Sequence, residues 1–122
     1  MSIQVTGTLL DACVLAFITE EDAYGYSLTQ SVKDTLDVSE STLYPVMRRL
    51  QTDDCLTAYD APYNGRNRRY YKITKRGLEK YLAIAAEWKT FKQKIDVILK
   101  TDLEIENYIA GGNVDDEGRV FN

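Results

Sequence analysis

A chain of 122 residues has room for one small domain, and its lack of any histidine removes the commonest general base, proton shuttle and metal ligand. No Cys-x-x-Cys pair, glycine-rich phosphate loop or metal-ligand cluster takes its place, so nothing points to a catalytic centre, a cofactor or a metal site. The net charge of −4 is unevenly spread: residues 39–76 hold eight cations and four anions, whereas residues 1–38 and 101–122 each hold one cation and six anions. A partner responds to the local field more than to the total, so the basic block in the middle of the chain is where an anion would dock.

In chain order, the first predicted element runs from Thr8 to Thr19, where Leu9, Leu10, Ala12, Cys13, Val14, Leu15, Ala16, Phe17 and Ile18 are nearly continuous. A helix apolar almost all round is buried on more than one side, and a partner subunit is expected to cover part of it. Its longest apolar run, Ala12 to Ile18, falls far below the roughly 18 residues of a membrane span, and nothing resembles a signal peptide. The expected location is the cytoplasm. Cys13 reads as a small buried hydrophobe, and a disulfide to Cys55 is not expected in a reducing compartment.

A second helix opens at Tyr24-Gly25-Tyr26-Ser27 and runs to about Leu36, followed by a turn at Asp37 to Ser39. Ser39 is the expected N-cap of the third helix, its hydroxyl accepting from a backbone N–H of the first turn. At 100° per residue, that helix (Glu40 to Asp53) gathers Leu43, Val46, Met47 and Leu50 on one side. Ser41, Tyr44, Pro45, Arg48 and Thr52 fall opposite, flanked by Thr42 and Arg49. Short hydroxyls, an aromatic ring and arginines on one solvated face have the shape and chemistry to lie in a DNA major groove. On this segment alone, an ordinary amphipathic helix with a wet polar side reads equally well.

The next segments favour the nucleic-acid reading. Thr57 to Tyr63 and Arg68 to Thr74 are rich in Tyr, Thr and Ile, which suit strands. Asn64-Gly65 between them is a strong hairpin signal, because both residues tolerate the positive φ of a type I′ turn. Around the turn lie Arg66, Arg68, Arg69 and Lys72, with Lys75 and Arg76 just beyond. Charges on a hairpin also protect its edges from aggregation, but this cluster has one sign, as the wing of a winged helix-turn-helix has when it reaches phosphates or the minor groove.

Thr74 is expected to cap a fourth helix, with Gly77 in its first turn at little cost. Leu78, Leu82, Ala85, Trp88, Ile95 and Ile98 recur along it, widened by Tyr81, Phe91 and Leu99. A helix of roughly 25 residues with that stripe is expected to pair with a second copy of itself rather than fold back on its own domain. Beyond Lys100, DLEIENYIA predicts a short acidic helix from Thr101, and GGNVDDEGRVFN predicts disorder.

Taken together, these segments resemble the PadR family of transcriptional regulators over about residues 7 to 99. GTLLDACVLAFI resembles the family's first helix, AYGYSLTQSV its Gly-Tyr second helix, and VSESTLYPVMRRLQTDDCL its recognition helix. GRNRRYYKITKRG resembles the wing's second strand, and AEWKTFKQKI the tryptophan-bearing fourth helix. Two positions depart from the pattern: Tyr24 stands where many members have histidine, and Asp53-Asp54 where a glycine often precedes the wing.

The resemblance implies a mainly α fold with a small β-hairpin wing: a winged helix-turn-helix DNA-binding domain at 1–76 and a C-terminal dimerisation helix at 77–100, beyond which composition predicts an acidic, partly disordered tail at 101–122. It implies a homodimer whose recognition helices enter successive major grooves of a palindromic operator, about 34–36 Å apart. Carried onto matching positions, Ser41, Thr42, Tyr44 and Arg48 would face DNA, Tyr26 would touch a phosphate, and Arg66 and Arg68 would serve the wing. Members usually repress and release DNA when a small aromatic compound binds. Trp88 matches a position that stacks on flat ligands between subunits in multidrug-sensing members; the other reading is that it packs the dimer core. Two further functions stay open: a winged-helix protein-interaction module without DNA binding, and a small-molecule carrier.

Overall fold

The first helix, α1, spans Gly7–Ala16 and stops before the predicted end at Thr19. Its last turn tightens: Phe17, Ile18 and Thr19 donate their N–H groups three residues back, and the Thr19 hydroxyl caps Ala16 O at 3.0 Å. Leu10, Asp11, Ala12, Val14 and Leu15 are all buried within the same chain, so the domain itself covers most of α1 and leaves Ala16 and Phe17 exposed. The computed structural model describes residues 3–100, and the chain divides into two compact units between Ala86 and Glu87. The predicted acidic helix and disordered end lie outside the described residues.

After α1 comes a two-residue strand absent from the sequence reading, β1 (Ala23–Tyr24), and then α2 (Gly25–Leu36), which ends on Asp37 in the left-handed region at φ 57°. The third helix, α3, is Glu40–Thr52. Its N-cap differs from expectation: the Ser39 hydroxyl meets the hydroxyls of Ser41 and Thr42 at 3.0 Å each rather than a backbone N–H. The Ser39 carbonyl instead accepts from the N–H groups of Thr42 and Leu43. Asp54, at φ 60°, makes the left-handed turn that leads into the hairpin.

The hairpin is β2 (Leu56–Tyr63) and β3 (Arg66–Ile73), joined by Asn64 and Gly65 at φ 50° and 77°, the positive pair a type I′ turn requires. The sheet order is β1-β3-β2, antiparallel throughout, with Leu56 opposite Ile73, Asp60 opposite Arg69 and Tyr24 opposite Tyr70. Strand alternation then sorts β3 into two faces. Tyr71 and Ile73 pack on the core, which is built from Leu10, Val14 and Leu15 of α1, Leu28 and Val32 of α2, and Leu43, Met47 and Leu50 of α3. Tyr70 and Arg68 point the other way.

The fourth helix, α4, is Lys75–Leu99. Thr74 caps it as expected, accepting from the Gly77 N–H at 2.9 Å, and donates its own hydroxyl to Asp54 O at 2.5 Å. Gly77 is not the inexpensive glycine the sequence suggested. A Cβ there would stand 1.9 Å from the Cys55 carbonyl oxygen, because the start of α4 lies directly on the backbone that leads into the wing. Cys13 and Cys55 are both free, and partial burial pushes the Cys13 thiol up. In the second unit Trp88 and Phe91 lie with ring centroids 6.3 Å apart, and Lys92 pairs with Asp96 at 2.7 Å. No helix among the described residues is long and apolar enough to cross a membrane.

Candidate nucleic-acid interface

The outward face of α3 is set by its inward one. Leu43, Val46, Met47 and Leu50 are buried, so Ser41, Thr42, Tyr44, Pro45 and Arg48 are turned to solvent on a helix that cannot rotate without exposing its apolar stripe. Glu40 at its start accepts from Gln30 Nε2 of α2 at 3.0 Å, which ties the two helices of the helix-turn-helix together. The two arginines of the pair part company. Arg48 stays in solvent, whereas Arg49 turns back to bond the carboxylate of Asp11 in α1. Lys80 of α4 reaches the other oxygen of the same carboxylate at 3.3 Å.

Tyr26, in the first turn of α2, and Tyr44 of α3 are both exposed and line one cavity of about 210 Å³. Tyr24, Met47, Arg69 and Tyr71 also contribute to its walls. Tyr26 and the outer face of α3, two parts of the expected DNA surface, therefore share a cleft. The hairpin arginines do not act as one group. Arg68 is held on the outer sheet face, its guanidinium 3.8 Å from the Tyr63 ring centre and 4.3 Å from that of Tyr24. The same face carries an aromatic row, with Tyr59 stacked on Tyr70 at 5.6 Å and Tyr70 at 5.9 Å from Tyr24. The Tyr59 hydroxyl donates to Asp22 at 2.5 Å, and that hydrogen bond pushes its phenol up from the ordinary value.

Arg66 opens β3 beside the turn and is exposed. Arg69 lies on the opposite face from Arg68, the face that carries Tyr71, and there it lines the cleft with Tyr26 and Tyr44. The sequence reading counted it among the cations around the turn but gave the wing role to Arg66 and Arg68 and none to Arg69. The period-two alternation with Tyr71 and Ile73 was the available signal. Trp88, also exposed, belongs to the second unit beside Phe91. Among the described residues no group of acidic or cysteine side chains could hold a metal ion.

Comparison with known proteins agrees with this geometry. Residues 14–83 match the profile of the transcriptional regulator PadR-like family. An uncharacterised protein of Lysinibacillus sphaericus is 32% identical over 96 residues, covering 75% of this chain and 88% of that one. Among solved structures, one from Streptococcus mutans superposes with a TM-score of 0.75 at 33% identity, covering 82% of this chain and 94% of its own. A PadR-like transcriptional regulator from Bacillus cereus gives a TM-score of 0.68 at 29% identity over 74% of this chain and 90% of its own. Four helices, a three-stranded antiparallel sheet and a matched profile over more than half the chain leave one assignment, a DNA-binding regulator rather than an enzyme: the chain belongs to the PadR-like family of transcriptional regulators.

Proposed function

We propose that the chain is a cytoplasmic repressor that binds a palindromic operator as a homodimer, α3 of each copy lying in a major groove. The observation that carries this reading is the outer face of α3, where Ser41, Thr42, Tyr44 and Arg48 stand exposed on a helix anchored by four buried apolar residues. Arg48 supplies a fork of donors for a guanine edge or a phosphate, and the hydroxyls suit either. Tyr26 is the flanking phosphate contact, and Arg66 extends the cationic surface at the hairpin tip. Arg68 serves the wing in two ways, adding charge and bracing Tyr24 against Tyr63.

The C-terminal helix pairs with that of a second copy. Support for this comes from Leu82, Phe91, Val97, Ile98 and Leu99, all large, apolar and exposed on α4. Trp88 beside Phe91 offers a flat surface on which a small aromatic effector can stack between the copies, shifting the spacing of the two recognition helices.

The test is a titration of DNA from upstream of the protein's own gene against a scrambled duplex, at two salt concentrations. Specific binding that weakens steeply with salt is expected. Arg48→Ala is expected to reduce operator affinity about tenfold without changing the fold. A protein that binds no duplex at low salt would instead be a winged-helix interaction module. Quenching of Trp88 fluorescence by flat aromatic compounds, with parallel release of DNA, checks the effector.

A further inference from the structure

The two central arginines of β3 are neighbours in sequence and opposites in setting. Arg68 is sandwiched by tyrosine rings on the outer sheet face, whereas Arg69 borders the cleft it shares with Tyr26 and Tyr44. The partner of Arg69 is Asp60, directly across the strand pair, with Nε to Oδ1 at 3.5 Å. Both side chains are more than half exposed, at 61% and 56%. An ion pair that long, made through a single donor and open to solvent, holds weakly. A guanidinium has a planar fork that fits a phosphate as well as a carboxylate, so it can change partners at little cost.

We propose that Arg69 is a ligand for a DNA phosphate, that the cleft between Tyr26 and Tyr44 receives the sugar–phosphate backbone flanking α3, and that Asp60 stands in for that phosphate in the free protein. This rests on the DNA-facing reading of α3. On binding, Arg69 exchanges the Asp60 carboxylate for the phosphodiester, and no covalent bond changes. The tyrosine rings give the sugar an apolar wall, and Arg69 gives the phosphate its charge. Asp60 acts as a brake, because DNA must displace it from Arg69 before the phosphate can take its place. A phosphate contact carries no sequence information of its own, so the brake weakens binding to every sequence, including the non-specific background from which the operator must be found.

Anisotropy titrations of the full-length protein with the upstream duplex and a scrambled duplex, over a salt series, test this. Arg69→Gln is expected to bind both duplexes about tenfold more weakly, with a log K against log salt slope shallower by about 0.9, one lost phosphate. Arg69→Lys keeps the charge and is expected to keep the slope, which separates lost charge from disturbed folding. Asp60→Asn is expected to bind both duplexes about threefold tighter, and that gain is expected to vanish in the Arg69→Gln background.

Wild-type binding with unchanged affinity and slope in Arg69→Gln would overturn the assignment. A loss confined to the upstream duplex would make Arg69 a base reader and overturn the phosphate contact. An Asp60→Asn gain that persists in full without Arg69 would overturn the brake, leaving Asp60 a mere nearby anion. If the wild type binds neither duplex at low salt, the reading of α3 falls and this proposal falls with it.

Discussion

Asp11 is buried inside α1 at 4% exposure, yet it carries two cations, Arg49 from α3 and Lys80 from α4. Both of its oxygens are taken, which offsets the cost of burying a carboxylate and fixes three helices at one point. It also diverts Arg49 from the solvated face, so the helix presents one arginine to a partner rather than two. Asp11→Ala is expected to cost about 2–3 kcal/mol in urea denaturation, since both cations can recover water once released. The loss of stability should be accompanied by weaker DNA binding even under conditions where the variant is folded, as α3 loses a tether. Little of this was legible in the sequence. An aspartate within an apolar run reads as an interruption, and its partners lie 38 and 69 residues away in the chain.

At the scale of elements, what the sequence revealed and what it hid have different physical origins. The hairpin was legible because Asn64-Gly65 dictates its own turn, and the buried stripe of α3 because period alone fixes it. β1 was not, since two residues have no period and exist as a strand only through Tyr70 and Tyr71 of β3. Arg66 to Asn67 likewise became strand through pairing with Tyr63 and Pro62 rather than by propensity. Gly77 was misjudged for a related reason: helix propensity describes the helix, whereas the cost of a side chain there is set by the Cys55 backbone pressed against it. Cys55 is itself fixed, donating its N–H to Leu50 O at 2.8 Å and accepting from Thr74 N at 3.1 Å. Neither backbone can yield. Gly77→Ala, a favourable change in an open helix, is therefore expected to destabilise by about 3 kcal/mol or more, read as a lower urea midpoint with the slope unchanged. A stabilised variant would mean that the start of α4 moves freely over the wing's root.

At the scale of the whole molecule, charge and apolar surface are segregated along the chain. The basic stretch covers α3 and the hairpin, residues 77–100 keep a small positive excess, the two ends at 1–38 and 101–122 are acidic, and α4 carries large apolar side chains that stand exposed. One exposed apolar residue needs no explanation, but Phe91 at 56% and Ile98 at 72% lie one heptad apart on a helix that also exposes Leu82, Val97 and Leu99. The stripe was legible from its spacing, and the second copy expected to cover it is an inference from length and apolar character, because a helix face specifies a partner's chemistry and not its identity. The proposed second copy would cover the stripe and serve DNA binding together, since two linked half-sites gain affinity through effective concentration that a single helix in the groove cannot reach. Sedimentation equilibrium is then expected to return about twice the 13.9 kDa chain mass at micromolar concentration. The double change Phe91→Glu with Ile98→Glu should yield a folded monomer, and its operator affinity should fall about 100-fold while Ser41, Tyr44 and Arg48 remain intact. A wild-type monomer that binds operator as tightly as any dimer would sink the pairing of α4. The acidic variant, if still dimeric, would place the contact elsewhere on the chain.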